Sequence, residues 1–210
     1  LIFKNDKKIV ASTNYFFSLL NLFLNALNGL FFVPLYIKKL SDINEYGVWL
    51  ACLGIISSLS IIEMNISGVA TQKYSQALSS NKIDRFKSLV LSNIIILIIL
   101  IAICFILSIA ITHFFPKTIS YSSTLGDIKK TLFLCFIGFV GMQLSLSIGA
   151  FFQSLQITLF QNAILSISVL INIGVVLYCL YYFELGLVSF AIGHCIMGLF
   201  NIISLGSYAF

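Results

Sequence analysis

Six long apolar segments, separated by short polar ones, follow one another between residues 11 and 208. The hydrocarbon core of a bilayer is about 30 Å thick and requires roughly 20 apolar residues for each helical crossing. Because a lipid-exposed backbone must satisfy its own hydrogen bonds, each segment is predicted to be a helix. The predicted spans are 13–37, 46–70, 89–114, 131–153, 160–183 and 185–208. The pattern therefore predicts an all-α membrane protein, a bundle of six transmembrane helices forming one domain over residues 1–210.

Polar and turn-forming residues mark the breaks between these spans. They cluster at 38–45, 79–87 and 116–130, whereas little more than Glu184 separates the last two spans. So short a connection predicts a tight antiparallel hairpin of the last two helices. The chain begins at Leu1 and stops near the end of its sixth apolar segment. We therefore expect it to be the first half of a longer protein.

The composition excludes a soluble globular protein. Hydrophobic residues make up 60% of the chain, charged residues make up 9%, and the mean hydropathy is +1.06. A soluble protein of this size would have too little polar surface with such a composition. The six spans and their connections also leave no room for a soluble catalytic domain.

The sequence contains no motif for catalysis or metal binding. It has no GxSxG motif, no glycine-rich phosphate loop and no paired carboxylates on one helix face. The five cysteines lie singly in apolar segments without a CxxC pair, so we predict that they are small core residues. We expect no enzymatic activity, no cofactor and no metal.

The distribution of basic residues predicts the orientation in the membrane. With a cytoplasmic N-terminus, seven of the twelve Lys and Arg residues lie on the inner side and five on the outer side. Since cytoplasmic loops are enriched in Lys and Arg, we predict that the N-terminus is cytoplasmic. The pI near 9.0 then suits anionic lipid head groups and does not indicate nucleic-acid binding.

Polar side chains form a stripe along the first predicted helix. They recur at separations of four, three, four and three residues, which places them on one face. The members are Asn14, Ser18, Asn21, Asn25 and Asn28. One interpretation is that these amides join helices, with about 0.6 kcal/mol for an average hydrogen bond between membrane helices. The other, which we favour, is that they line a hydrated cavity that accepts a polar solute.

The second predicted helix repeats this spacing with Ser60, Glu63 and Ser67. An ionised acid within a membrane helix costs roughly 2.5–3.5 kcal/mol at the helix centre and normally faces the bundle interior. Glu63 is therefore the candidate for binding a coupling cation, or for changing its protonation during transport. The alternative is a structural salt bridge with a base such as Lys73.

Weaker polar faces occur in the later predicted helices. Their members complete the candidates for the cavity wall: Gln143, Asn172, His194 and Asn201. A single histidine in a membrane helix is more often a packing residue than a proton carrier. Within the span 89–114, residues 94–111 hold almost nothing polar beyond Cys104 and Ser108, so we expect much of its surface to face lipid.

Three stretches together resemble the polysaccharide and O-antigen flippases, which belong to the superfamily of the multidrug and toxic-compound extruders. The first is Pro34-Leu35-Tyr36 with Leu40 and Glu45-Tyr46-Gly47-Val48-Trp49, similar to the family's link between helices one and two. The second is Ile62-Glu63-Met64-Asn65-Ile66-Ser67, similar to the end of its helix two. The third is Phe152-Gln153-Ser154-Leu155-Gln156, similar to its turn between helices four and five. Their order and spacing carry the resemblance.

This resemblance implies two bundles of six helices that open alternately to the two sides of the bacterial inner membrane, with this chain as the first bundle. The implied substrate is an oligosaccharide linked to undecaprenyl diphosphate, moved across the membrane for O-antigen, capsule or exopolysaccharide synthesis. Asn, Gln and Ser suit sugar hydroxyls, whereas a diphosphate needs Lys or Arg, for which Lys73 and Arg85 are the candidates. Implied partners are the C-terminal half of the chain, membrane lipids, a proton or sodium ion, a polysaccharide polymerase and a chain-length regulator.

Two other functions remain open from the sequence. A multidrug extruder of the same superfamily would favour aromatic and acidic residues over an amide stripe. A membrane glycosyltransferase or polymerase would need catalytic groups in a sizeable outer loop, and the longest predicted outer loop, 116–130, offers one acid, Asp127.

Overall fold

The computed structural model describes residues 7–40, 43–114, 125–155 and 157–209, and the side chains of all of these except 7–11, 43, 59–65, 125, 208 and 209. Over these ranges the fold is entirely helical, without a strand. The helices are α1 (Lys7–Leu27), a π-helical turn (Asn28–Phe32), α2 (Val33–Lys39), α3 (Ile43–Ser79), α4 (Ile83–Phe114), α5 (Leu125–Ser154), α6 (Thr158–Tyr182) and α7 (Leu187–Ala209). The predicted all-α class is confirmed.

Five stretches of the described residues are long and apolar enough to cross a membrane. They are Ser12–Lys39, Ile83–Phe114, Gly126–Ser154, Thr158–Tyr182 and Leu187–Ser207. These match the first, third, fourth, fifth and sixth predicted spans. The second predicted span, 46–70, lies within α3, whose residues 59–65 have side chains outside the described part of the structure. A total of six spans therefore stays a prediction.

The first span is not one uninterrupted α-helix, as its apolar pattern predicts, but contains the π-helical turn. Pro34 follows this turn and has no N–H, so the carbonyl of Leu30 lacks the usual donor four residues later. The Val33 N–H donates to the carbonyl of Asn28, five residues earlier. The backbone hydrogen bonds therefore change from a spacing of four residues to a spacing of five next to Pro34. Interruptions of this kind in helices are commonly caused by proline.

The connections follow the predicted breaks closely. α6 and α7 are joined by residues 183–186 and pack along each other, which confirms the predicted hairpin. Glu184 and Gly186 both have φ of +52°, a left-handed conformation that turns the chain sharply. α5 begins at Leu125, inside the predicted loop 116–130. Asp127 lies in its first turn, where a negative charge stabilises a helix, and pairs with Lys130 at 3.7 Å.

The core is centred on α5, which packs against α7, α3 and α4. Aromatic and aliphatic side chains fill it, among them Trp49, Phe136 and Phe190, with the rings of Trp49 and Phe190 stacked at 5.4 Å. All five cysteines are buried thiols, as predicted. α4 exposes apolar side chains such as Ile98 and Ile106 over much of its surface, in agreement with its predicted lipid contact.

Candidate functional site

The polar stripe of the first span lies at the edge of the bundle, on α1 and the π-helical turn. α1 packs mainly against α6, where Asn162 Nδ2 donates to Ser18 Oγ at 3.2 Å and Ser166 Oγ donates to the Phe17 carbonyl at 3.4 Å. Ser18 and Asn25 are exposed. The remaining three members, Asn14, Asn21 and Asn28, are half-buried. The stripe therefore forms part of the surface of this bundle.

Hydrogen bonds along the stripe satisfy only part of its capacity. Asn25 Nδ2 donates to Asn21 Oδ1 at 2.9 Å and to the Asn21 carbonyl at 2.8 Å. The Tyr36 hydroxyl donates to Asn28 Oδ1 at 3.2 Å. Asn14 Oδ1 is buried and has no hydrogen-bond partner within the described ranges. An amide has two donors and one acceptor with two lone pairs, so capacity for a polar solute remains.

A second group of the predicted cavity residues lies between α5, α6 and α7. Gln143 on α5 is 1% exposed, and Asn201 on α7 is 0% exposed with its Nδ2 3.2 Å from Met142 Sδ. Asn172 on α6 faces α7, because a Cβ on Gly193 would lie 2.5 Å from its Oδ1. The carbonyl oxygens of Gln143, Asn172 and Asn201 have no hydrogen-bond partner among the described atoms. Gln143 and Asn201 would reach a solute only if α5 and α7 moved apart, whereas Asn172 is half-buried.

His194 lies on α7 opposite α3 and is half-buried. Its ring meets Trp49 edge-on at 6.4 Å, and a Cβ on Gly138 of α5 would lie 2.6 Å from its carbonyl oxygen. The side chain therefore packs at a junction of three helices, away from α1. The structure does not bring His194 together with the amide stripe.

The candidates of the second predicted helix lie along α3. Ser60 and Glu63 belong to the stretch 59–65, whose side chains lie outside the described part of the structure. Ser67 is half-buried, and its carbonyl accepts a hydrogen bond from Thr71 Oγ1 at 2.9 Å. The α3 backbone is helical through all three positions, so their predicted common face is retained.

The two candidates for a phosphate contact lie at the end of the bundle where α3 meets α4. Lys73 is exposed and lines a groove between these helices. Arg85 is exposed in α4, beside the exposed Lys82 and Lys87. This end of the bundle therefore carries a basic surface, separate from the amide stripe.

Sequence reasoning missed the polar link that holds this end together. The Tyr74 hydroxyl of α3 is hydrogen-bonded to Asn93 of α4, whose Nδ2 donates to Ser147 Oγ of α5 at 3.4 Å. Asn93 directly precedes a long Ile/Leu-rich run. A lone amide beside such an apolar run is the sequence feature that could have indicated a polar contact between helices. Its buried partner, Tyr74, has no sequence feature that distinguishes it from an interfacial aromatic residue.

A second missed cluster lies at the opposite end. Lys39 Nζ of α2 forms an ion pair with Glu184 Oε1 at 3.2 Å and lies 5.6 Å from the centre of the Tyr181 ring. A Cβ on Gly186 would lie 3.0 Å from Glu45 Oε2, which brings the start of α3 to the same place. The pairing joins residues that are 145 positions apart, so no local pattern predicts it.

Searches against models of protein families, curated proteins and solved structures found no match to this chain.

Proposed function

We propose that this chain is part of a flippase that moves an oligosaccharide linked to undecaprenyl diphosphate across the bacterial inner membrane. The observation that carries the proposal is the amide stripe at the edge of the bundle. The resemblance in three stretches of sequence supplies the substrate class.

The stripe is unsuited to contact with lipid. It extends over fifteen residues from Asn14 to Asn28, whose fourteen steps correspond to about 21 Å of helix, most of the hydrocarbon thickness. Polar groups in hydrocarbon cost free energy unless they are hydrogen-bonded. Asn25 is exposed, and its hydrogen bonds to Asn21 use its Nδ2 and not its Oδ1. The stripe therefore adjoins water, a polar solute or further helices.

The chemistry of the stripe suits a sugar. Asparagine amides donate and accept hydrogen bonds, as sugar hydroxyls do. The sequence has no Lys or Arg between residues 9 and 37, so the stripe offers no charge partner for a diphosphate. In the proposed mechanism the diphosphate stays near the membrane surface, with Lys73 and Arg85 as its candidate partners in this half.

The proposed transport cycle needs no covalent chemistry. The stripe binds the sugars while this bundle and the C-terminal half open alternately to the two membrane surfaces. Glu63 couples this motion to a proton or sodium gradient. An oligosaccharide site between two bundles agrees with the position of substrate sites at repeat interfaces in secondary transporters.

The test is complementation of a bacterium that lacks its own O-antigen flippase, with surface polysaccharide as the readout. The complete reading frame is expressed unchanged, as Asn21→Leu/Asn25→Leu, and as Asn21→Gln/Asn25→Gln. The glutamine variant keeps the amides and serves as the matched control. Leu22→Ala/Phe23→Ala, on exposed apolar neighbours, controls for disturbance of α1.

We expect the unchanged protein and both controls to restore polysaccharide, and the leucine variant to fail at equal membrane abundance. Restoration by the leucine variant would support the flippase function but would show that the stripe serves packing and does not bind the sugar. Export of hydrophobic cations without restoration of polysaccharide would instead favour the extruder.

A further inference from the structure

A groove of about 360 Å³ runs along the surface between α3 and α4, near the turn that joins them. Its walls are apolar and include Ile66, Val69, Leu89 and Ile96, and Lys73 contributes the charged group. The volume falls within the range of small-molecule sites in proteins. Apart from Lys73, which is one of the two candidate partners of the diphosphate, the groove has no part in the proposed transport path, because the amide stripe lies on α1, which packs against α6.

The groove changes from charged to apolar with depth in the membrane. Lys73 lies six residues before the end of α3, about 9 Å along the helix axis. Ile66 of α3 and Ile96 of α4 each lie thirteen residues from the turn, about 20 Å along the axis. A molecule filling the groove therefore meets the cation near the membrane surface and hydrocarbon walls below it.

The floor of the groove is fixed and its polar groups are occupied. Tyr74 and Asn93 line it, are 2% and 7% exposed, and are hydrogen-bonded to each other. Asn93 also reaches Ser147 of α5, so three helices hold the floor. The ammonium group of Lys73 forms no ion pair with any acid that the structure describes. The charge available to a ligand is therefore positive.

We propose that this groove binds one anionic phospholipid of the surrounding bilayer, with its phosphate at Lys73 and an acyl chain along the apolar walls. Lys82, Arg85 and Lys87 are exposed near the same turn but do not line the groove, so Lys73 is the cation that a lipid seated in the groove meets. A phospholipid fits better than the sugar-carrying lipid, because the walls offer few hydrogen-bonding groups for an oligosaccharide. The proposal does not depend on the proposed transport function, but a phospholipid bound at Lys73 leaves Arg85 as the candidate partner of the diphosphate in this half.

The test uses the full-length protein in nanodiscs that contain equal amounts of phosphatidylglycerol and phosphatidylcholine. Native mass spectrometry of the released protein counts the lipids that stay bound. We expect a preference of roughly fivefold for phosphatidylglycerol, the effect of one lysine near an anionic surface. Lys73→Gln should reduce the preference to about one, whereas Lys87→Gln, outside the groove, should keep it.

A second measurement locates the lipid without relying on Lys73. Phosphatidylglycerol with a photoreactive group at the end of one acyl chain should label peptides containing Ile66 or Ile96. Val69→Trp, which places a bulky ring on an exposed wall position, should abolish this labelling and retain the thermal stability of the protein.

Four results would overturn the proposal. They are an unchanged preference in Lys73→Gln, labelling spread evenly over α4, retention of undecaprenyl phosphate over phosphatidylglycerol when both are present in the nanodiscs, and cysteine crosslinking of α4 to α4 in a second copy. The third result would assign the groove to the carrier lipid, and the fourth would assign it to a dimer.

Discussion

Gly138 of α5 and Gly198 of α7 meet backbone to backbone. A Cβ added at either position would collide with the other helix, and a Cβ at Gly141 would lie 2.6 Å from the Gly198 carbonyl carbon. Helices that lack a hydrophobic driving force in lipid associate by close packing at such small residues. This crossing joins the two most extensively packed helices and holds Gln143 and Asn201 out of contact with solvent.

Replacement of Gly198 by alanine should destabilise the bundle. The added methyl group meets the Gly138 backbone, which cannot move as a flexible side chain does. Overpacking of this kind costs about 1–3 kcal/mol, more than the gain of up to about 1 kcal/mol from alanine in a helix. Thermal unfolding in detergent would measure the loss.

The matched control is Gly206→Ala on the same helix. No heavy atom of the described residues lies within 4 Å of a Cβ at Gly206, so only the helix-propensity gain of up to about 1 kcal/mol is expected. If both variants lost the same stability, the close approach of α5 and α7 would not be the cause.

Replacement of Asn93 by leucine should destabilise the α3–α4 end. The change removes a partner of the buried Tyr74 hydroxyl, and an unsatisfied buried polar group costs about 1–3 kcal/mol. Adding Tyr74→Phe should recover part of the loss, because the hydroxyl that needs a partner is then absent. Chemical unfolding of the two single variants and the double variant measures the coupling between them. Additive losses would show that the hydrogen bond contributes nothing, and Ser92→Ala, exposed on the same helix, should have little effect.

The sequence predicts helices far better than it predicts which faces meet. Apolar segments of about 20 residues predicted six spans because the bilayer fixes their length, and five of these match long apolar helices of the structure. The position of Glu184 predicted the final hairpin. An asparagine in an apolar segment, however, looks the same in sequence whether it is exposed at the edge of the bundle, as Asn25 is, or buried in the α5–α7 contact, as Asn201 is. Spacing places a residue on a helix face but does not say what covers that face, which depends on packing between distant segments.

Replacement of Pro34 by alanine should convert the π-helical turn toward a regular α-helix. Alanine restores an N–H at position 34, which can donate to the Leu30 carbonyl and close the usual ladder. Hydrogen–deuterium exchange of residues 29–35 should become slower by about tenfold, equivalent to about 1.4 kcal/mol of added local stability. Unchanged exchange would show that Gly29 or tertiary packing, not the proline, maintains the turn. Leu35→Ala, an exposed neighbour that keeps Pro34, is the control.

In the proposed transport cycle Glu63 couples transport to an ion gradient, so its replacement by glutamine should uncouple the two. Ten residues of continuous α3 separate Glu63 from Lys73, about 15 Å along the axis, farther than the three- or four-residue spacing of ion pairs on a helix. That separation favours the coupling hypothesis over the salt bridge with Lys73.

Coupling free energies are typically about 1–3 kcal/mol, so gradient-driven transport should fall roughly 5- to 150-fold while the protein stays folded. Uptake of lipid-linked sugar into vesicles with and without a proton or sodium gradient measures the effect, and Glu45→Gln, the acid in the first turn of the same helix, is the control. Full transport with full ion dependence in Glu63→Gln would remove Glu63 from the mechanism and return it to a structural role.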